Sequence, residues 1–218
     1  MFSDLVRQSA MTSPLHGSSA LTGQPFGQLL EAIAAKTPTP GGGAVAGSVG
    51  AIAASLAHMV VAYSLGKKNL AQHQPALEQA SKQLIRIREM YVQLAEEDAA
   101  AYGLVNELQK LPEADARRVA ELPAAQRAAV DVPLAAMALS VELLRLCEAL
   151  QPITNVYLKS DLGIATVLAE ATNRSSGWNV HINLAGLPVE QQGTTREQYQ
   201  KLLEVGSAIS RKVEAACR

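Results

Sequence analysis

Apolar positions along this chain recur with helical spacing almost everywhere. From Gln74 to Gln109, Leu77, Leu84, Tyr91, Asp98 and Val105 fall seven apart, and Ala80, Ile87, Leu94, Ala101 and Leu108 form the companion row. Two such rows on one helix are a packing seam more than four heptads long. The same reading predicts a short helix over Phe26 to Lys36 and an apolar one over Ala44 to Leu65. It also predicts a short piece from Ala114 to Leu122, then helices over Ala124 to Leu150, Asn155 to Ser175 and Thr195 to Ala216. Pro133 marks a kink or a start inside the fifth of these segments. Leu187 to Thr194 reads as a loop, and Trp178 to Leu184 as either a helical turn or an extended strip. The expectation is an all-α fold, a single-domain helical bundle with long central helices.

Composition narrows the possibilities. The 218 residues suffice for one domain with a sizeable core. Aromatics are only 4%, and alanine, the strongest helix former, is abundant. The net charge is -1 and no Lys/Arg block occurs, which argues against nucleic acid as a partner. The two cysteines, Cys147 and Cys217, form no CxxC pair, in keeping with a reducing, cytoplasmic setting. Residues 1–24 lack the apolar core of a signal peptide and read as a mobile tail, leaving 25–218 as the folded unit. The Ala44 to Leu65 segment has no charged residue and is long enough to span a membrane. It is rich in Ala, Gly and Ser, carries His58 at its middle, and stands alone among amphipathic neighbours, so a central helix of a soluble bundle is the expected reading. Its small residues Gly43, Gly47, Ala51 and Ser55 recur every four positions, a stripe suited to close helix packing.

Chemistry enters with Asp98, the one acid in the seam. A carboxylate there needs a partner or a shifted pKa, so it is a candidate general acid/base or a polar contact that fixes helix register. Glu96 and Glu97 beside it would push its pKa further up. The segment Thr37-Pro38-Thr39-Pro40-Gly41-Gly42-Gly43 precedes a helix whose free N–H groups can face a ligand, or it is simply a tight connection. Ser160 and Asp161 open a helix as a cap or add a second acid. Asn179 and Asn183 share a face if helical, and His181 joins them if the strip is extended. Lys67 and Lys68 either complement a helix C-terminus or hold substrate carboxylates. The four histidines lack metal-ligand spacing, and Arg86, Arg88, Arg117 and Arg118 read as surface charges.

Several of these segments occur together, in order. They are FGQLLEAIAAKTPTPGGGAVAGSVGAIAASLAHMV, LAEEDAAAYGLV followed by KLPE, AAVDVPL, and KSDLGIATVLAEA leading to NVHINL. From Phe26 to the C-terminus the chain resembles the formiminotransferase-cyclodeaminase C-terminal domain family, which includes stand-alone methenyltetrahydrofolate cyclohydrolases. Ala44 departs from the Ser that the family often has there. The resemblance implies a homodimer or larger assembly and a tetrahydrofolate derivative as substrate, with no metal or redox cofactor. It implies closure of 5-formiminotetrahydrofolate to 5,10-methenyltetrahydrofolate with loss of ammonia, or interconversion of the methenyl and 10-formyl forms. A separate formiminotransferase could supply the first substrate. On this reading Asp98 is the acid/base, assisted by Glu97 or Asp161. Thr39, Pro40 and Gly41 to Gly43 hold the pterin, Ser160, Asn179 and Asn183 orient polar edges, and Lys67 and Lys68 meet the glutamate tail. The competing reading is a non-catalytic folate-binding or scaffold protein.

Overall fold

The computed structural model describes residues 23–218; the expected tail lies almost wholly outside them. Six helices account for nearly all of it: α1 (Phe26–Ala34), α2 (Gly42–Ala62), α3 (Gln74–Gln109), α4 (Ala116–Leu150), α5 (Lys159–Asn183) and α6 (Val189–Cys217). Short 3₁₀ turns at Lys68–His73, Val156–Leu158 and Leu184–Gly186 join them, and there is no strand among the described residues. The all-α expectation holds. Helices α2 to α5 form a four-membered ring, α2 between α3 and α5, with α4 opposite; α6 lies against α4 and α5.

The seam on α3 explains the ring. Leu77, Ala80, Leu84, Ile87, Tyr91, Ala101 and Leu108 are all buried. Midway, Ala95 is buried while Leu94 is only partly so, as expected when a straight helix drifts against a seven-residue repeat. Val60, Val61, Leu143, Leu144 and Leu162 complete the main core. A second cluster of Val130, Leu134, Met137, Val180, Leu184, Leu187 and Tyr199 joins α4, α5 and α6. His58 is satisfied through its Nε2, 3.0 Å from Ser81 Oγ on α3.

The predicted break before Ala124 is absent: α4 runs unbroken from Ala116 through Pro123 and Pro133. Each proline lacks the N–H that a carbonyl four residues earlier needs. For Pro123 that carbonyl belongs to Val119, whose exposure lets water serve. For Pro133 it belongs to Ala129, which is buried. Asn183 Nδ2, from the end of α5, donates to the Ala129 carbonyl at 2.8 Å and replaces the missing helical bond. At the start of α4, Asp115 caps the N–H groups of Arg117 and Arg118 at 2.9 and 3.1 Å. The two arginines do more than decorate the surface. Arg117 pairs with Glu107, and Arg118 donates to the Leu111 carbonyl just past α3.

The C-terminal third is more helical than expected. The strip from Trp178 is the end of α5, and the loop assigned to Leu187–Thr194 belongs mostly to α6, which begins at Val189. Its first turns are polar and exposed, so they carry no apolar periodicity. They are secured by side chains instead: Gln192 Nε2 donates to the Leu187 carbonyl at 2.9 Å and Arg127 donates to Gln191 at 3.1 Å. Ser160 and Asp161 do not cap α5. They lie inside its first turn, with Leu158 at the N-cap position.

The Asn183–Ala129 bond predicts a coupled pair. Asn183→Leu should lower stability by about 1–3 kcal/mol by stranding a buried carbonyl. In a Pro133→Ala background, where the helix recovers its own donor, the cost should fall below about 0.5 kcal/mol. Denaturant unfolding of the four proteins measures this, and equal costs in both backgrounds would refute the link.

Candidate active site

The site starts from how closely α2 approaches α3. A Cβ on Gly43 would overlap the Asp98 carboxylate, one on Gly47 would lie 2.9 Å from Ala95 Cβ, and one on Gly50 would lie 2.5 Å from Tyr91 Cε1. Glycine at these positions lets the helices meet nearly backbone to backbone. The small-residue stripe therefore works as expected at its N-terminal half, whereas Ser55 faces outward and bonds back to the Ala51 carbonyl.

That approach seats Asp98 under the N-terminus of α2. Gly41 is the N-cap and offers no side chain, so the first N–H groups of the helix need outside acceptors. The Ala44 N–H donates to Asp98. Two opposing effects act on the carboxyl. Burial raises its pKa and the Ala44 hydrogen bond lowers it; burial wins, leaving the value at about 6. Repulsion from Glu97, expected as a contributor, is not among the causes.

In front of Asp98 lies a cavity of about 250 Å³, lined by Pro38, Thr39, Gly41, Gly42, Gly43, Tyr102, Ala129, Asn179, Ile182 and Asn183. Asp98 is the only carboxylate in that lining. The Thr39–Pro40 peptide bond is cis, and Thr37 Oγ1 donates to the Thr39 carbonyl at 2.9 Å, which folds the loop over the helix start. Asn179 Oδ1 would lie 3.6 Å from a Cβ on Gly42, so its amide faces the glycine loop. A further hollow of about 270 Å³ shares Ala129, Ile182 and Asn183 and extends past Gln109 and Gln126. The result is an elongated cleft with one titrating acid at its inner end.

Thr39, Gly41, Gly42, Gly43, Asp98, Asn179 and Asn183 are thus brought together, with Pro40 in the same loop. Because the strip is helical, His181 is turned away and its Nδ1 lies 3.2 Å from Tyr199 Oη. Glu97 points elsewhere, since one residue along a helix is a rotation of about 100°. It accepts from Gln93 Nε2 at 2.7 Å and lines a separate groove against α4. Asp161 and Ser160 lie at the opposite end of α5, and 18 positions from Asp161 to Asn179 correspond to about 27 Å. Lys67 and Lys68 follow the far end of α2. Within one chain, these four stand apart from Asp98. Tyr102 and Ile182 were missed. Each was legible as a neighbour, Tyr102 one turn beyond Asp98 and Ile182 between the two asparagines.

The chain as a whole is similar to known proteins. A family model described as formiminotransferase-cyclodeaminase matches residues 25–201. The methenyltetrahydrofolate cyclohydrolase of Methylorubrum extorquens is 31% identical over 189 residues, covering 84% of this chain and 91% of that protein. The formimidoyltransferase-cyclodeaminase of Gallus gallus is 30% identical over 200 residues, covering 87% of this chain but only 36% of that longer protein. A crystal structure of formiminotetrahydrofolate cyclodeaminase from Thermotoga maritima superposes with a TM-score of 0.78 at 28% identity, over 90% of this chain and 95% of that one. With the family model matching most of its length, this chain belongs to the formiminotransferase-cyclodeaminase family.

Proposed function

We propose that this protein makes or breaks a carbon–nitrogen bond at the one-carbon unit bridging N5 and N10 of tetrahydrofolate. The observation that carries this is Asp98, a carboxyl whose pKa of about 6 lets it both accept and donate a proton near neutrality, set in a cleft of elongated shape. As a cyclodeaminase it would take the N10 proton while N10 attacks the formimino carbon. The same acid would then protonate the departing ammonia, and the methenyl bridge remains. As a cyclohydrolase it would take a proton from the water that adds to the methenyl carbon and return it to N5 as the carbon–N5 bond breaks, while the new hydroxyl gives its proton to solvent and becomes the carbonyl of the 10-formyl form. Both pass through a tetrahedral carbon, so one acid/base serves either.

On this reading Thr39, the Gly41–Gly43 backbone and Asn179 meet the polar edge of the pterin, and Tyr102 offers it an aromatic surface. Asn183 holds the wall of the cleft through Ala129. The p-aminobenzoyl-glutamate arm follows the outer hollow past Gln126 and Gln109. The functional unit runs from about residue 25 to the C-terminus, works as a homodimer, and belongs in the cytoplasm.

Purified protein offered 5-formiminotetrahydrofolate and 5,10-methenyltetrahydrofolate in turn should act on one or both, followed by methenyl absorbance. Binding without turnover of either would instead support a folate-binding protein. Asp98→Asn should lower kcat by about 10²–10⁴ with helicity unchanged. If Asp98 acts as the base, kcat/KM of the wild type should rise with pH and level off above about 6; a profile flat from pH 5 to 7 would count against it.

Stability should respond in the opposite sense. The folded-state pKa lies above the unfolded one, so the protonated form is favoured by folding and stability is lost as pH rises from about 4 through about 6. Asp98→Asn should therefore be more stable than wild type by about 1–3 kcal/mol at pH 7.5 and equal to it at pH 3.5. A variant less stable at pH 7.5 would show that the carboxylate is held by more than the Ala44 bond.

A further inference from the structure

Asp98 has two sides. Its outer side lines the cleft, with Asn179 opposite. Its inner side meets a separate void of about 10 Å³, closed by Gly47 of α2, Leu94 of α3, Val132 and Ala136 of α4, and Ser176 of α5. A space of that size has room for one water, which stays only where polar groups meet it. Apart from Asp98, Ser176 supplies the one polar side chain in that lining. It lies three residues before Asn179 on α5, so the helix carries one polar group to each side of the same carboxyl.

Ser176 is only 1% exposed, and it differs from the other buried hydroxyls. Ser64, Ser140, Thr154, Thr166, Thr172 and Thr195 each donate to the carbonyl four residues earlier. Ser210 donates to Glu214. The Ser176 hydroxyl makes no such bond back along α5 and has no partner among the described residues; it borders the void instead. A buried hydroxyl left unpaired is costly, and alanine there would suit the helix better.

We propose that Ser176 is a positioning residue for Asp98: its hydroxyl holds one water in the void, and that water donates to the inner oxygen of the carboxylate. The bridge fixes the plane of the carboxylate while the outer oxygen stays turned to the substrate. It also opposes burial, because a donor to the ionised form favours that form. This deepens the acid/base reading of Asp98. No other charge competes for the role. Tyr102 is the one further titratable group lining the cleft, and none lines the void. Glu97 of α3 and Arg127 and Asp131 of α4 line the separate groove. On α2, His58 bonds Ser81. On α5, Arg174 pairs with Glu170, and His181 is turned to Tyr199.

A titration of the Asp98 carboxyl tests this without any substrate. Its side-chain carbon is followed by NMR in ¹³C-labelled protein and assigned by its loss in Asp98→Asn. The wild-type inflection is expected at about 6. In Ser176→Ala it should rise by about one pH unit, with helicity unchanged by circular dichroism. A merely structural loosening acts the other way, since extra water favours the charged form. Val132→Ala, which widens the same void and removes no polar group, should therefore leave the inflection in place or lower it. An unchanged or lowered inflection in Ser176→Ala, or an equal rise in both variants, overturns the proposal. Where the wild type turns over a folate, kcat/KM of Ser176→Ala at about pH 5 should fall about tenfold relative to its own plateau. A wild type that turns over no folate, but whose Asp98 inflection still rises in Ser176→Ala, would sink the folate reading and leave this one standing.

Discussion

Much of this structure follows from the contact of α2 with α3 through Gly43, Gly47 and Gly50. It sets the distance at which a carboxyl on α3 can reach the open N-terminus of α2, and it removes that carboxyl from water at the same time. A helix N-terminus ordinarily stabilises an ionised acid. Here burial outweighs it, and the balance leaves Asp98 titrating near the pH at which proton transfer is useful. An added Cβ at Gly43 would fall on the carboxylate itself, so sequence simplicity at that position and chemistry at Asp98 are one constraint.

A second dependence joins the far side of the cleft to the bundle core. Pro133 leaves a buried carbonyl without its helical donor, and Asn183 supplies one from a helix 50 residues later. The bond fixes the end of α5 against α4 where Asn179, Ile182 and Asn183 line the site. A residue read as a substrate contact thus has a structural duty as well, which explains why a proline can persist inside a 35-residue helix.

What was legible in the sequence was local or periodic. The α3 seam, its limits at Gln74 and Gln109, and Asp98 as its exception all follow from a seven-residue spacing within one helix. The glycine loop and the two asparagines were found from residue type and helical phase. Other features depended on distant partners. The continuity of α4 through Pro133 needs Asn183, and the first turns of α6 are held by polar contacts from Leu187 and Arg127 rather than by an apolar stripe. Adjacency in sequence misled at Glu97, which the helix rotates into a different groove. Resemblance grouped Lys67, Lys68, Ser160 and Asp161 with Asp98, while the length of α2 and α5 holds them at the other end of the chain's bundle.

The composition of α2 follows from the same contact with α3. A charge-free helix of 21 residues is long and apolar enough to suggest a membrane, yet its inner side is the tight contact that builds the site. Placing it at the centre of one chain accounts for the inner side only. The glycines and the absence of charge on that side reflect the close packing against α3, which seats Asp98 and takes it out of water.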